Sequence, residues 1–178
     1  MNIYPCGYCV HGPLIEALMQ QDLSLLLIDT RYSPRSRIPG WSEAALRRRF
    51  GERYRWTGET LGNVNYARGG PIRLADPARG IADVIQCLRE GHALILLCGC
   101  REYTSCHRRL IVERLVEQFP AATIIHPEAL PAPGTIKSLA AAKNIPTDGP
   151  GRSQRSQKLA RYCIRYHPGA IIPCLMQS

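Results

Sequence analysis

The chain has 178 residues, 45% of them hydrophobic and 21% charged, with a formal net charge of +9. That is the composition of a globular protein with one real core and a short extension, and no run of about 18 apolar residues is present to form a transmembrane helix. The first residues, MNIYPCGYCVHG, lack the basic start and apolar centre of a signal peptide, so a cytoplasmic protein is expected, and its eight cysteines read as free, metal-bound or catalytic rather than as a disulfide framework.

Taken in order, residues 2–7 read as a short strand and 13–22 as a helix with Pro13 near its start. Residues 23–29, LSLLLID, form a continuous apolar run of strand length, as a strand buried on both faces requires. Residues 31–41 are a loop broken by Pro34, Pro39 and Gly40. Residues 42–51 read as a helix capped by Ser42 and ended by Gly51, and 53–57 as a third strand. A Gly/Asn-rich loop covers 61–70. Asp76, Pro77 and the spacing of Ile81, Val84, Ile85 and Leu88 predict a helix stopped by Gly91. Residues 93–98 form a buried strand. Ile111, Leu115 and Phe119 mark the next helix, and 122–126 the last strand. Strand and helix alternate with short turns, which predicts a three-layer α/β domain over residues 1–130, its mostly parallel sheet flanked by helices.

Residues 131–178 differ. They carry four Arg, three Lys and one Asp, a balance of +6, against 16 Arg and 13 acidic residues over 1–130. This segment reads as a basic C-terminal extension, with a linker at 145–157 and an amphipathic helix at 155–166. A basic tail is either a solvated tail or a contact for nucleic acid or a membrane surface.

The chemistry concentrates in LLCGCREYTSCHRRL, residues 96–110. Open parallel sheets bind ligands beyond the carboxyl ends of their strands. The ends at Cys6–Cys9, at Asp29–Arg31 and at Cys98–Cys100 are expected on one side, together with the start of the helix near Cys106. Three chemistries compete. Cys106 at a helix N-terminus beside Arg101, Arg108 and Arg109 would be a stabilised thiolate, with the arginines holding phosphate or carboxylate. Cys6, Cys9, Cys98 and Cys100 would make a four-sulfur zinc site, Cys106 or His107 replacing one of them. Or the cysteines pack as small apolar side chains.

A second cluster follows Asp29. Arg31 and Arg37, with Ser36, would hold an anion while Asp29 moves a proton; a salt bridge that only fixes the loop is the competing reading. Trp41, Tyr54, Trp56 and Tyr66 either stack on a base or cover the core. Cys87 reads as packing, His11 as a further metal-ligand candidate, and His126 as a strand-end residue near the pocket.

Three stretches, LLIDTRYSPRSRIPGWS, LGNVNY and LLCGCREYTSCHRRLIVERL, together resemble the family called domain of unknown function 488. Its D-x-R-x-x-P-x-S-R loop corresponds to Asp29, Arg31, Pro34, Ser36 and Arg37. Its Leu-Gly corresponds to Leu61-Gly62, and its cysteine strand with Cys-His-Arg to Cys98 and Cys106-His107-Arg108. The resemblance spans about residues 2–126 and implies the α/β fold with both motifs in one pocket. Gly7-Tyr8-Cys9 stands where the family has Gly-His-Ser, and Cys100 where many members carry an acid.

The expectation is therefore an enzyme acting on a phosphate-bearing substrate, a nucleotide or nucleic acid. Cys98, Cys106, His107 and Asp29 are its candidate catalytic residues, and Arg31, Ser36, Arg37 and Arg108 its anion contacts. Cys6, Cys9, Cys98 and Cys100 are the candidate zinc ligands. A nucleic-acid-binding accessory protein is the first alternative. A rhodanese- or phosphatase-like thiol enzyme is the second, although the phosphatase C-x5-R spacing is missing. No membrane partner is expected, and nothing in the sequence sets an oligomeric state.

Overall fold

A computed structural model describes residues 1–130. The basic extension and its proposed helix lie outside the described residues. Five strands form one all-parallel sheet: β1 (Asn2–Gly7), β2 (Leu26–Asp29), β3 (Tyr54–Trp56), β4 (Leu94–Cys98) and β5 (Thr123–Ile124), in the order β3-β2-β4-β1-β5. Five helices connect them: α1 (Tyr8–Gln21), α2 (Glu43–Phe50), α3 (Gly58–Leu61), α4 (Pro77–Arg89) and α5 (His107–Gln118). None of the described helices is long and apolar enough to cross a membrane.

The sheet is central because both faces of its strands are apolar. Every residue of β4, LILLC, is buried, and so is every residue of β2. Alternation sends Ile3, Leu26, Ile28, Leu94 and Leu96 to one side, where Ile81, Val84 and Leu88 of α4 and Ile111 and Leu115 of α5 cover them. Cys6, Leu27, Ile95 and Leu97 face the other layer, against Ile15 and Met19 of α1 and Leu46 of α2. Each such aliphatic side chain contributes about 1.5–3 kcal/mol by leaving water.

Local signals place most of the helix ends. Ser42 Oγ accepts the Ala45 amide at 3.4 Å, and Gly51, at φ 55°, ends α2. Asp76 accepts from the Arg79 amide at 3.2 Å, Pro77 opens α4, and Gly91 follows it with φ 93°. Several expectations differ from the structure: the last strand shrinks from 122–126 to Thr123–Ile124, and the short helix α3 is unexpected. Helix α1 starts at Tyr8, not at Pro13, with a kink at His11 (φ −104°, ψ 17°) that joins a first turn to the segment containing Pro13. Strand β2 starts at Leu26, because the amide and hydroxyl of Ser24 both bond to Asp22 and close a turn there.

The path of the chain creates a crevice. Strand β1 runs directly into α1 on one face, while its neighbour β4 runs through a loop into α5 on the other. The outgoing chain diverges between them, which is where open α/β sheets hold their ligands. In the register, Gly7 lies opposite Cys98 and Asp29 opposite Leu97, so the ends of β1, β2 and β4 are level.

Candidate functional site

At that divergence three sulfurs meet. The Sγ atoms of Cys98, Cys100 and Cys106 all lie within 4.8 Å of one another, with Cys98 to Cys100 at 3.5 Å. Cys98 ends β4, Cys100 is on the loop, and Cys106 is the N-cap residue of α5. Cys98 and Cys106 are buried and Cys100 is half-buried, so the triangle opens to solvent at Cys100.

The loop folds over a glycine. A Cβ on Gly7 would stand 2.2 Å from the Cys100 carbonyl oxygen and 3.2 Å from the Arg108 guanidinium, so only glycine admits this approach of loop to strand.

Arg108 lies beneath the sulfurs with no solvent contact. Its guanidinium donates to the Pro5 carbonyl at 3.1 Å, the Cys100 carbonyl at 3.0 Å and Cys106 Sγ at 3.2 Å. Among the described residues no carboxylate pairs with it. Its countercharge is sulfur. Hydrogen bonds from the Cys100 and Cys98 thiols, with His107 and Arg108, hold Cys106 well below the usual thiol range against the opposing effect of burial. The same sharing keeps the other two protonated. At Cys98 the Cys100 hydrogen bond acts downward, but Cys106 and burial outweigh it and leave the thiol pushed up to about 11. The Cys100 thiol is pushed up by Cys106 first, then by Cys98 and burial. Three sulfurs thus carry one negative charge, opposite one buried positive charge and at the positive end of α5.

His107 is oriented from behind. Its Nε2 lies 2.8 Å from the Thr30 carbonyl oxygen and 3.1 Å from Thr30 Oγ1, while that hydroxyl donates to the Leu97 carbonyl at 2.9 Å. A carbonyl only accepts, so Nε2 carries the ring proton. Nδ1 faces Cys98 Sγ at 3.9 Å and Cys106 Sγ at 3.8 Å, where it donates to the thiolate when protonated and accepts when it is not.

Asp29 and Arg31 form a separate closed network. Arg31 Nε donates to Asp29 Oδ1 at 2.8 Å and its NH2 to Oδ2; the Tyr54 hydroxyl donates to Oδ2 at 2.7 Å. Arg31 NH1 reaches the Trp41 carbonyl at 2.8 Å and ties down the 31–41 loop. Burial disfavours the Arg31 charge, but the hydrogen bond and charge of Asp29 outweigh it and raise its pKa. Ser36 Oγ accepts the Ile38 amide at 3.0 Å within that loop, and Arg37 is exposed.

The structure therefore brings together Cys98, Cys106, His107 and Arg108, and adds Cys100. It does not assemble the four-sulfur set of Cys6, Cys9, Cys98 and Cys100. Strand alternation turns Cys6 into the apolar layer beneath α1, where burial pushes its thiol up to about 12, and Cys9 is exposed on α1. His11 is not a ligand to the cluster either: its Nδ1 accepts the Gly7 amide at 3.2 Å and its Nε2 faces Glu128 at 3.5 Å. His126 packs edge-on against Tyr103. Cys87 is buried packing and accepts a hydrogen bond from Arg55. Trp41 stacks on Tyr8 at 5.0 Å and is core, as is Tyr54, whereas Tyr66 is exposed. Sequence reasoning missed Thr30, which seats His107. Its place directly after Asp29 at a strand end was the only signal for it. In comparisons with known proteins, no family model, no curated protein and no solved structure matches the chain.

Proposed function

We propose that Cys98, Cys100 and Cys106 hold a zinc ion and that the chain is an enzyme acting beside it on a phosphate-bearing substrate, a nucleotide or nucleic acid. The observation that carries the metal is the charge around Arg108. A fully buried guanidinium without a carboxylate needs compensating charge. Three thiolates around Zn²⁺ carry a net −1, which Arg108 cancels; one thiolate without metal also carries −1. The site is neutral in either state, so metal enters by displacing two thiol protons.

The spacing supports the same ion. Tetrahedral Zn–S bonds of about 2.3 Å set sulfurs about 3.8 Å apart, and the triangle is of that size. Three protein ligands leave one position for water or substrate, as catalytic zinc sites do. A zinc ion there supplies Lewis acidity and a water that ionises near neutral pH. His107, held by Thr30, offers Nδ1 as a proton acceptor at the same place. Asp29 and Arg31 act as framework. With Arg31 and Arg108 committed to internal partners, the arginines free to meet phosphate beside the sulfurs are the exposed Arg35, Arg37 and Arg101 on the loops after β2 and β4. The resemblance to the 488 family supports a shared pocket, with Cys100 in place of its acid supplying the third sulfur.

Metal analysis by mass spectrometry, on protein purified under reducing conditions without added metal, tests this. About one zinc per chain is expected, lost in Cys100→Ser, and the zinc-loaded protein should cleave or transfer phosphate from nucleotides or oligonucleotides where Cys100→Ser does not. A metal-free protein whose melting point ignores added zinc overturns the reading.

The Cys106 thiolate favours a second reading, a thiol enzyme of the rhodanese type, with the Cys98 and Cys100 thiols donating to it. Rapid alkylation of Cys106 near neutral pH in metal-free protein supports it. A nucleic-acid-binding role for residues 131–178 is tested by deleting 145–178, which should weaken DNA or RNA binding and flatten its salt dependence.

A further inference from the structure

On the other side of β2 from the sulfurs lies a groove of about 430 Å³, lined by Tyr32, Trp56, Glu59, Val64, Arg73 and Ala75. Its volume is that of a small-molecule site. Its walls are pinned. Trp56 ends β3, and its indole N–H donates to the Arg31 carbonyl at 2.9 Å, which fixes the ring. The opposite wall is tied by the Val64 amide on the Arg73 carbonyl at 2.9 Å and by a bridge between Asn63 and Leu74. Gly58 lets the two sides close up, since a Cβ there would stand 2.0 Å from the Arg31 carbonyl and 2.3 Å from the Trp56 indole nitrogen.

Three features mark it as a recognition site. Tyr32 is 50% exposed although its neighbours Thr30 and Arg31 are buried, so a large aromatic ring is left bare beside a second one. Glu59 and Arg73, both exposed, share the groove, and among the described residues neither side chain has a hydrogen-bond or ion-pair partner. The groove also adjoins the segment that seats the chemistry: Tyr32 stands two residues beyond Thr30, whose carbonyl holds His107. Strands β3 and β4 are two spacings apart, on the order of 10 Å.

We infer that this groove binds a nucleotide whose base carries an exocyclic amino group. The base lies against Tyr32 and Trp56, Glu59 accepts from the amino group, and Arg73 holds a phosphate. Aromatic faces suit any planar base, so the ring alone selects little. The carboxylate selects an exocyclic amino donor, which adenine, cytosine and guanine carry, over uracil, whose single N3–H lies between two carbonyl acceptors that repel a carboxylate. The guanidinium fork selects phosphate over the bare nucleoside. This deepens the proposed function by naming its substrate class, and it rests on the nucleotide part of that reading alone.

Isothermal titration calorimetry of the full chain with AMP, UMP, adenosine and inorganic phosphate tests it. AMP should bind at least about tenfold more tightly than UMP, the gap expected for one charge-assisted hydrogen bond. Arg73→Ala should weaken AMP about tenfold and leave adenosine unchanged, and Glu59→Gln should erase the preference for AMP over UMP. Both positions are exposed, so neither variant threatens folding. Trp56 gives a second readout, because the only other tryptophan, Trp41, is buried in the core: its emission should change saturably with AMP. No saturable binding at millimolar AMP, or equal affinities in wild type and both variants, overturns the inference. Cys100→Ser separates it from the metal reading. That variant losing zinc while keeping AMP affinity upholds the groove, and a protein that keeps zinc yet ignores AMP overturns the groove and leaves the metal standing.

Discussion

Arg108 gives the sharpest test of the charge argument, because it needs neither substrate nor metal. Replacing it with Met keeps an unbranched side chain of similar reach and removes the charge. Two carbonyl acceptors, on Pro5 and Cys100, lose their donor, and Cys106 loses its countercharge. Each stranded acceptor costs about 1–3 kcal/mol, and breaking a buried charge pair costs about 3–5 kcal/mol. These losses overlap, so a total of about 3–5 kcal/mol is expected, a large part of the 5–15 kcal/mol typical of a whole domain. Urea denaturation of reduced, metal-free protein measures it. Cys106→Ala and the double variant complete a cycle, since removing the thiolate already leaves the guanidinium uncompensated. The double variant should then cost less than the sum of the singles by at least about 1.5 kcal/mol. Should Arg108→Met not fold, Arg108→Gln takes its place in the cycle, removing the charge while keeping one hydrogen-bond donor group. A loss under about 1 kcal/mol, or a cycle additive within about 0.5 kcal/mol, would refute the claim that sulfur is the partner of this arginine.

Zinc at a hundred times its dissociation constant should stabilise the wild type by about 2.7 kcal/mol. For a chain of this size that is a rise of about 5–10 °C in Tm by calorimetry, and Cys98→Ser should show none. Gly7→Ala should destabilise by about 1–3 kcal/mol and weaken zinc binding, because its Cβ collides with the Cys100 carbonyl; an unchanged urea midpoint counts against the loop placement. Burial, then the charge and hydrogen bond of Asp29, raise the Tyr54 pKa. The folded state therefore favours the neutral phenol. Its stabilisation is complete below the unfolded value near 10 and falls above it by up to about 1.4 kcal/mol per pH unit. Tyr54→Phe should be less stable at pH 7, by about 1.5–3 kcal/mol for the lost bond to a carboxylate, and the gap should narrow by pH 11. Urea midpoints that stay parallel from pH 7 to 11 would contradict the Tyr54–Asp29 assignment.

Where the physics is local, the sequence carried the structure. The caps at Ser42 and Asp76 and the apolar runs of β2 and β4 each act within a few residues, and each is found in the structure. What was not legible is direction and long-range pairing. Spacing counts Cys6, Cys9, Cys98 and Cys100 as four sulfurs, but strand alternation turns Cys6 into the layer under α1 and helix geometry exposes Cys9. The first turn of α1 was likewise not legible: Pro13 reads as a helix start, while the helix begins at Tyr8 and kinks at His11 before it. Arg108 read as a surface anion contact because arginines usually are. The chain buries it beneath residues 103 positions away, at Pro5, and leaves Glu102 of the same turn exposed. The groove was invisible for the same reason: Tyr32, Glu59 and Arg73 are ordinary residues until β2, β3 and the 63–74 bridge set them side by side.

That contrast bears on where the chemistry sits. Asp29 and Arg31 look like a reactive pair in the sequence, yet each exhausts the other, and the pair serves to hold Trp41 and the loop. The sulfurs look like packing, yet they enclose a buried positive charge that nothing else among the described residues balances. A protein interior tolerates a paired aspartate and arginine as scaffold, because both charges are spent. It tolerates three adjacent thiols over a lone guanidinium only if at least one gives up its proton, and a divalent cation lets all three do so without changing the net charge. The proposed centre is what remains uncompensated after the fold has satisfied itself, and here that remainder is Cys98, Cys100 and Cys106, with Nδ1 of His107 turned toward them.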